Sequence, residues 1–473
     1  MRLSRVWGGI ELRQEDLLLA SLWCVDAALL QRAGEYSPLG IWLLVASAVF
    51  GCLAVRARVG SPGRMAWAIA VGASALTIQF YAPLHLESRY NWVAFFATTT
   101  VFAAVLARRR VARLALLTVA AGAVAVGASF LWAWGKDEID VWTGVQVASS
   151  AVLHAHNPYG PTFPALYPHG LSFVTRQIHF DYGPAIPVLA APFRLFGDIR
   201  VASVVLFIGL FAAVRSLARR RPDAAVAAPR LLALCIAFPL TMTMIGSAWV
   251  DIYAVAGLAG WIALRERHPR WAVLCLALGI ASKPIFLPAM LPLLFWSRTA
   301  RREAVQATLA ALVFIAPFAI ATGPAAFYHD VVGYLADFPF RPDSLSLNTM
   351  LFWNGRGTLP GWLGVTVVAV LCLGTVLHRP RSYGDVLAAG ATISTVSFLL
   401  ARQAFFNYYF LSAAVLLLAL AGREVAFDAA EDVRLPWAID RRFLAWVRGH
   451  GMRRALAPAT AEAPAALSVG VPD

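Results

Sequence analysis

Charge is scarce in this 473-residue chain: 14% of the residues are Asp, Glu, Lys or Arg, against 60% hydrophobic. A soluble domain carries about a quarter charged residues, so this composition excludes an ordinary water-soluble fold. Lysine is nearly missing, since of 40 basic residues only Lys136 and Lys283 are lysines. Cysteine is sparse too. Cys24, Cys52, Cys235, Cys275 and Cys372 all lie in apolar runs with no CxxC or Cys/His spacing. That pattern excludes a disulfide framework and a zinc site and predicts small buried hydrophobes. No metal and no cofactor is expected. The apolar runs do not alternate with polar residues, which excludes a membrane β-barrel. There is no internal repeat. A secretory signal of the usual form is also missing, because Glu11, Glu15 and Asp16 precede the first apolar run.

What the chain has instead is a succession of long apolar runs. They are Leu17–Leu30, Leu39–Val55, Met65–Phe80, Trp92–Leu106, Leu114–Trp134, Val201–Val214, Leu231–Ile245, Ile252–Leu264, Trp271–Ala281, Pro284–Trp296, Val305–Ala321, Leu359–Leu377, Val386–Leu400 and Phe406–Leu420. Allowing for flanking residues, they predict an all-α, polytopic transmembrane bundle of about 12–14 spans. The net charge of +14 is no sign of nucleic-acid binding, because its arginines cluster in short loops that alternate with loops poor in Lys and Arg. This positive-inside pattern places both termini in the cytoplasm of an inner or plasma membrane. Two large loops then fall outside. The expected organisation is membrane helices over 1–135, an extracytoplasmic loop with a re-entrant or interfacial element over 136–198, and central helices over 199–321. A second outer loop follows over 322–358, then C-terminal helices over 359–421 and a basic tail over 422–473. In that tail Arg441–Arg454 is expected on the inner leaflet and Ala455–Asp473 disordered.

The chemistry-bearing residues gather in the two outer loops. Asp137, Glu138 and Asp140 stand at the mouth of a membrane segment. Asp140 precedes a helical stretch, Val141–Leu153, where it could serve as an N-cap. It is equally placed to act as a general base on a sugar hydroxyl, and Asp137 and Glu138 compete for that role. Asn157-Pro-Tyr-Gly160 reads as a turn, while Tyr159 and Tyr182 are candidates to stack on a sugar ring. Four of the nine histidines, His154, His156, His169 and His179, fall in the same loop without zinc spacing. Pro184–Phe196 is apolar but too short and proline-broken to span. Asp251 and Lys283 interrupt later apolar runs, which marks them as functional candidates, although Asp251 could merely cap the next helix. In the second loop Arg341 is the leading phosphate ligand, because guanidinium matches phosphate oxygens; it could also only pair with Asp343. Asp343 or Ser344 could cap a short helix there. Arg402, Gln403 and Asn407 stand near the outer end of the last spans, beside Tyr408 and Tyr409, which would also suit an aromatic belt.

Asp140-Val-Trp, Asn157-Pro-Tyr, Phe196-Gly-Asp-Ile-Arg200, Ala248-Trp-Val-Asp251, Ser282-Lys-Pro284, Pro339-Phe-Arg-Pro-Asp-Ser-Leu-Ser346 and Gln403 with Asn407-Tyr-Tyr409 occur in that order. Together they resemble the bacterial integral-membrane glycosyltransferases of C type. The likeness is greatest to the polyprenyl-phosphate-mannose-dependent α-mannosyltransferases of family 87. The resemblance implies a hexosyltransferase that moves mannose, or another hexose or pentose, from a polyprenyl-phosphate donor to a cell-envelope glycolipid or polysaccharide, with inversion. It implies a catalytic acidic residue in the first large outer loop, a role Asp140 fits, or Glu138 if the match slides by two residues. The donor phosphate would meet Arg341, with Lys283, His179 or Arg402; Tyr159, Tyr182, Asp251, Asp343, Gln403 and Asn407 would line the substrate site. The partners implied are these two substrates and membrane lipids, with no nucleic acid. Two elements depart from the family pattern. Phe180-Asp-Tyr-Gly-Pro184 stands where Tyr-Pro-Pro is usual, and Asp251 stands where a Glu often follows the Trp. A transporter or flippase of lipid-linked sugars would call for inverted repeats; a non-catalytic scaffold of the same fold differs only in activity.

Overall fold

The computed structural model describes residues 13–30, 35–57, 140–169, 172–237, 239–283, 286–333, 340–378, 380 and 382–423. Asp137, Glu138, Asp337, Pro339, the runs at Met65–Phe80, Trp92–Leu106 and Leu114–Trp134, and the tail segments lie outside the described residues. The described chain is mostly helical, an all-α membrane protein. Its elements run α1 Gln14–Leu30, α2 Pro38–Arg56, α3 Asp140–Leu153, β1 Thr162–His169, β2 Ser172–His179, α4 Ala185–Arg194, α5 Arg200–Ala218, α6 Ala224–Ala237, α7 Pro239–Gly246, α8 Asp251–Leu264, α9 Pro269–Ser282, α10 Leu287–Trp296 and α11 Arg298–Thr322. Then come α12 Pro324–Tyr328, a π-helical turn His329–Gly333, α13 Leu347–Trp353, α14 Gly361–His378, α15 Tyr383–Leu400 and α16 Phe406–Gly422.

Helix starts follow local chemistry. Ser37 accepts the Gly40 N–H ahead of Pro38, and Ser297 accepts the Ala300 N–H at the head of α11. Ser382 and Asp385 form a reciprocal capping box on α15. Ser346, rather than Asp343 or Ser344, caps α13 through the Thr349 N–H. Among the described residues five helices, in α2, α5, α11, α14 and α15, are long and apolar enough to cross a membrane. The run expected at Leu231–Ile245 is helical on both sides of Phe238, which lies outside the described residues: α6 reaches Ala237 and α7 begins at Pro239. None of the five cysteines forms a disulfide; Cys52 is exposed on α2 and Cys275 only partly buried, so these two depart from the buried reading.

At the centre, α16 is buried from Asn407 to Gly422 and packs on α15, α1, α5 and α8. Helices α8 and α9 touch through glycines. A Cβ on Gly257 would stand 2.7 Å from the Gly279 Cα, so only small residues permit this crossing. The polar groups of the bundle collect at two ends. One end holds Glu15, whose carboxylate meets both Arg221 (3.1 Å) and Arg423 (2.8 Å), none of the three more than 1% exposed. Near it Arg265 binds Glu303 at 2.9 Å and donates to the Tyr383 hydroxyl at 3.1 Å. Helices α8, α9, α15 and α16 run from this end to the other, where Asp251, Lys283, Leu400 and Asn407 lie. At about 1.5 Å per residue, these helices span roughly 20–27 Å, close to a bilayer's apolar thickness.

The loop after α3 is not irregular. It carries an antiparallel hairpin, β1–β2, with Thr162 opposite His179. Phe163 is buried against Gly144 of α3, where a Cβ would come within 2.5 Å of its ring. Phe163 and Ala165 bury one face of β1, while its prolines hide the usual strand signal.

Candidate active site

The Phe180–Pro184 element carries the site. Gly183 donates its N–H to the Ser282 carbonyl at 2.9 Å, and a Cβ there would stand 2.0 Å from the Ala281 carbonyl oxygen. Glycine is therefore what lets this strand of chain lie directly on the C-terminal end of α9. The next residue on that end is Lys283, 2% exposed. Its ammonium lies 2.9 and 3.1 Å from the two carboxylate oxygens of Asp251, the first residue of α8. Asn407, at the start of α16, donates to the same carboxylate at 2.9 Å. The side chain of Asp251 thus binds two other elements, while the residue at the helix cap is Val250. Ala248, with φ +50°, makes the turn that ends α7 and delivers Asp251; a left-handed conformation costs a residue with a Cβ roughly 1–2 kcal/mol.

The Lys283 ammonium also lies over the rings of Tyr182 (5.3 Å) and Tyr408 (4.8 Å). Beside Tyr182 is Asp181, which composition and motif order did not single out. Burial first, then the negative charges of Asp140 and Asp330, push its carboxyl up from an ordinary 3.8 to about 7; its own backbone N–H and Lys283 oppose the shift. The Tyr182 hydroxyl is held well above its usual value by burial, and then by Asp181 and Asp140. Asp181 and Tyr182 thus feel the charge of Asp140, and Lys283, over the Tyr182 ring, acts on Asp181 too. The signal in the sequence was the departure itself: Asp181 and Gly183 belong to the Phe180–Pro184 element, which differs from the family pattern.

Asp140 opens α3 and accepts the Val141 N–H at 2.9 Å, so it does serve the helix start. Its helix is held by Asp198, which accepts the Trp142 indole N–H at 3.2 Å and the Arg200 Nε–H at 2.7 Å. Burial raises the Asp198 carboxyl, but the Arg200 and Trp142 hydrogen bonds outweigh it and hold it low. Thus Phe196-Gly-Asp-Ile-Arg200 is the brace of the Asp140 helix.

The segment after α3 touches the end of α11 and the segment that follows it. Asn157 donates to the Thr322 hydroxyl at 2.9 Å and its carbonyl oxygen accepts the Tyr159 N–H. Tyr159, 2% exposed, donates to the Tyr182 carbonyl at 2.8 Å and meets the Phe327 ring edge-on at 4.9 Å. Tyr159 is therefore a buried strut between loops. On the other flank, Arg341 forms a bidentate pair with Asp343 and stacks over Phe405 at 4.6 Å. Its charge is close enough to reach Tyr408. Leu345 donates to the Ala404 carbonyl and accepts the Tyr409 hydroxyl at 2.7 Å, which pins this segment to the head of α16. His179 is exposed at the end of β2 and Arg402 is exposed in the turn before α16. Among the described residues, Gln403 Oε1, Asn407 Oδ1, the Trp249 indole N–H and the Tyr253 hydroxyl are buried without a hydrogen-bond partner. These four lie on or beside the heads of α8 and α16; other buried polar atoms without a partner are spread through the rest of the described residues.

The segment that builds this centre, residues 180–402, matches the model of glycosyltransferase family 87. Residues 180–402 are a glycosyltransferase family 87 domain. The matched segment of this membrane glycosyltransferase contains Asp181, Asp251, Lys283 and Arg341; Asp140 and Asn407 flank it. No curated protein and no solved structure matched the chain.

Proposed function

We propose that this glycosyltransferase moves a sugar, mannose or another hexose or pentose, from a polyprenyl-phosphate donor to a glycolipid or polysaccharide of the cell envelope. The centre faces the outside of an inner or plasma membrane, and both termini are cytoplasmic. The observation that carries the reading is that Asp181 feels the charges of both Asp140 and Lys283, while Lys283 is held by Asp251 beside Asn407, with four unpartnered polar groups on or beside the heads of α8 and α16. A polyol substrate supplies the donors and acceptors those groups lack.

In this reading Asp140 takes the proton of the acceptor hydroxyl as that oxygen attacks the anomeric carbon from the face opposite the phosphate, inverting configuration. Asp181, titrating near neutrality, shares that proton and helps pass it on. Glu138 and Asp137 are the alternative bases. Arg341, at the rim, takes the donor phosphate by exchanging part of its pairing with Asp343, with Arg402 and His179 further out. The Lys283 ammonium, anchored by Asp251, supplies positive charge close to Tyr182 and Tyr408 and so favours the charge that develops on the leaving phosphate. Gln403 and Asn407 bind sugar hydroxyls, and Tyr159 and Tyr182 shape the wall. Mass spectrometry of envelope glycolipids and glycans from cells with and without the protein tests the reading. A species one hexose or pentose short in the deleted strain is expected; identical profiles would refute it.

A further inference from the structure

A cleft lies away from this centre, along α3 and the end of α4. It is an open cleft of about 380 Å³ lined by Gln146, Ser150, His154, His156, Pro161 and Arg194, together with Val147 and Ala151. Gln146 and Ser150 sit six and ten residues along α3 from Asp140, so the cleft starts roughly 10–15 Å from it along the helix. The reaction proposed above uses none of these residues.

The cleft holds unmet hydrogen-bonding capacity of both kinds. Gln146 is 9% exposed, and its Oε1 has no partner among the described residues; its Nε2 donates weakly to the Gly197 carbonyl at 3.4 Å. The Arg194 Nε–H is likewise buried and unpartnered, while its Nη1 donates to the same Gly197 carbonyl at 2.9 Å. One acceptor and one cationic donor therefore wait side by side. The two histidines are set at the rim by a strained turn. Ala155 adopts φ +56°, and the His156 N–H reaches back to the Ala151 carbonyl at 2.8 Å, ending α3. This brings the two imidazoles to a ring separation of 6.4 Å. His154 donates Nδ1–H to the Ser150 carbonyl at 2.8 Å. Its Nε2 is left to accept a hydroxyl or, once protonated, to donate to phosphate.

Apolar surface adjoins the charged one. Leu195 and Phe196, directly after Arg194 at the end of α4, are 77% and 75% exposed. On a short amphipathic helix of a membrane protein, such residues belong in the acyl boundary. A phosphate with hydroxyls on one side and acyl chains on the other is the chemistry that meets this surface.

We infer that the α3–α4 cleft binds the polyol-phosphate headgroup of an anionic membrane phospholipid, separate from the substrates of the reaction centre. The phosphate accepts from Arg194 and the histidines, a headgroup hydroxyl donates to Gln146 Oε1, and the acyl chains run over Leu195 and Phe196. The ligand also stabilises the brace of the active-site helix. Gln146 and Arg194 both hold Gly197, and the next residue, Asp198, holds Trp142.

The test uses the full-length protein purified in neutral detergent and titrated with short-chain phosphatidylglycerol, with binding read by native mass spectrometry. Short-chain phosphatidylcholine and inorganic phosphate are titrated in parallel. One phosphatidylglycerol is expected to bind in clear preference to both. Loss of a charge-assisted hydrogen bond in Arg194→Gln should weaken it about tenfold or more. The paired exposed-site change His154→Gln/His156→Gln, which leaves the buried packing alone, should weaken it severalfold. Arg176→Gln on the exposed face of β2 should leave it unchanged. Equal binding of phosphatidylcholine, equal binding of inorganic phosphate, or unaltered phosphatidylglycerol binding in both cleft variants would each overturn the inference. So would an equal loss in Arg176→Gln, which would mean diffuse charge attraction. None of these readouts depends on glycosyl transfer, so the lipid site and the proposed activity stand or fall separately.

Discussion

The ammonium of Lys283 and the carboxylate of Asp251 meet at 2.9 Å with side chains only 3% and 0% exposed. A charge pair so deeply buried in an apolar bundle is tolerable only as a pair. Removing one member leaves an uncompensated charge that costs about 3–5 kcal/mol. Lys283→Met is therefore expected to lower the thermal unfolding midpoint of the detergent-solubilised protein markedly. Lys283→Met combined with Asp251→Asn should recover much of the loss, because Asn407 can still bond an amide. A double variant no more stable than the single one would contradict this coupling.

The general-base assignment separates from the packing role of Asp140 by substitution. Asp140→Asn keeps an acceptor for the Val141 N–H but cannot take a proton. Transfer activity should fall at least 10²-fold with expression and membrane insertion unchanged. Full activity in that variant, with loss in Glu138→Gln, moves the base to Glu138.

Asp181 gives a signature in pH. Its carboxyl is raised from 3.8 to about 7 by burial and neighbouring negative charge, so between those values the folded state binds more protons than the unfolded chain. The stability difference tied to Asp181 is fully present below about 4 and is lost as pH rises through about 7. Replacement by asparagine should flatten that part of the stability curve. It should also remove a limb near neutrality from the pH–rate profile. Unfolding curves from pH 4 to 8 with the same slope in both proteins would show that Asp181 does not titrate there.

Arg341 stacks on Phe405 and pairs with Asp343, an arrangement at the rim that a donor phosphate can join. Arg341→Ala is expected to raise the KM for the lipid-linked donor about tenfold or more, the worth of a charge-assisted contact, with little change in acceptor KM. Unchanged donor kinetics would remove Arg341 from the donor site.

Gly183→Ala tests the geometry on which Lys283 depends. The added methyl would stand 2.0 Å from the Ala281 carbonyl oxygen, so the Phe180–Pro184 element must lift off the end of α9. Transfer should fall sharply while the far end of the bundle, held by Glu15, Arg221 and Arg423, keeps its helicity by circular dichroism. Undiminished activity would mean that the close approach is not needed.

Much of the fold was legible one segment at a time. Apolar runs outline helices because a bilayer demands long stretches with internally satisfied backbones. Thus Leu39–Val55, Val201–Val214 and Phe406–Leu420 each lie inside a single helix. The order of weak motifs pointed to family 87, and the match over residues 180–402 bears that out. The hairpin was not legible, because prolines at 164 and 168 blur strand patterning and Phe163 is held by Gly144 from a distant element. The Asn157-Pro-Tyr159 turn was legible as a turn, but not as the clamp on Thr322 and Phe327.

The sequence by itself determined the class of the molecule: too few charges for water, arginines clustered in short loops, and polar residues gathered in two large loops. Those properties are local and additive, so composition and periodicity carry them. Only the tertiary structure decided that Asp251 holds Lys283, that Asp181 stands among Asp140, Asp330 and Tyr182, and that Arg341 is shared with Asp343. These relations depend on how helices cross and on where two glycines let backbones touch. A one-dimensional reading can name candidate charges, but their partners are set by packing. The loop after α3 is tied in by contacts such as Asn157 on Thr322, 165 residues apart.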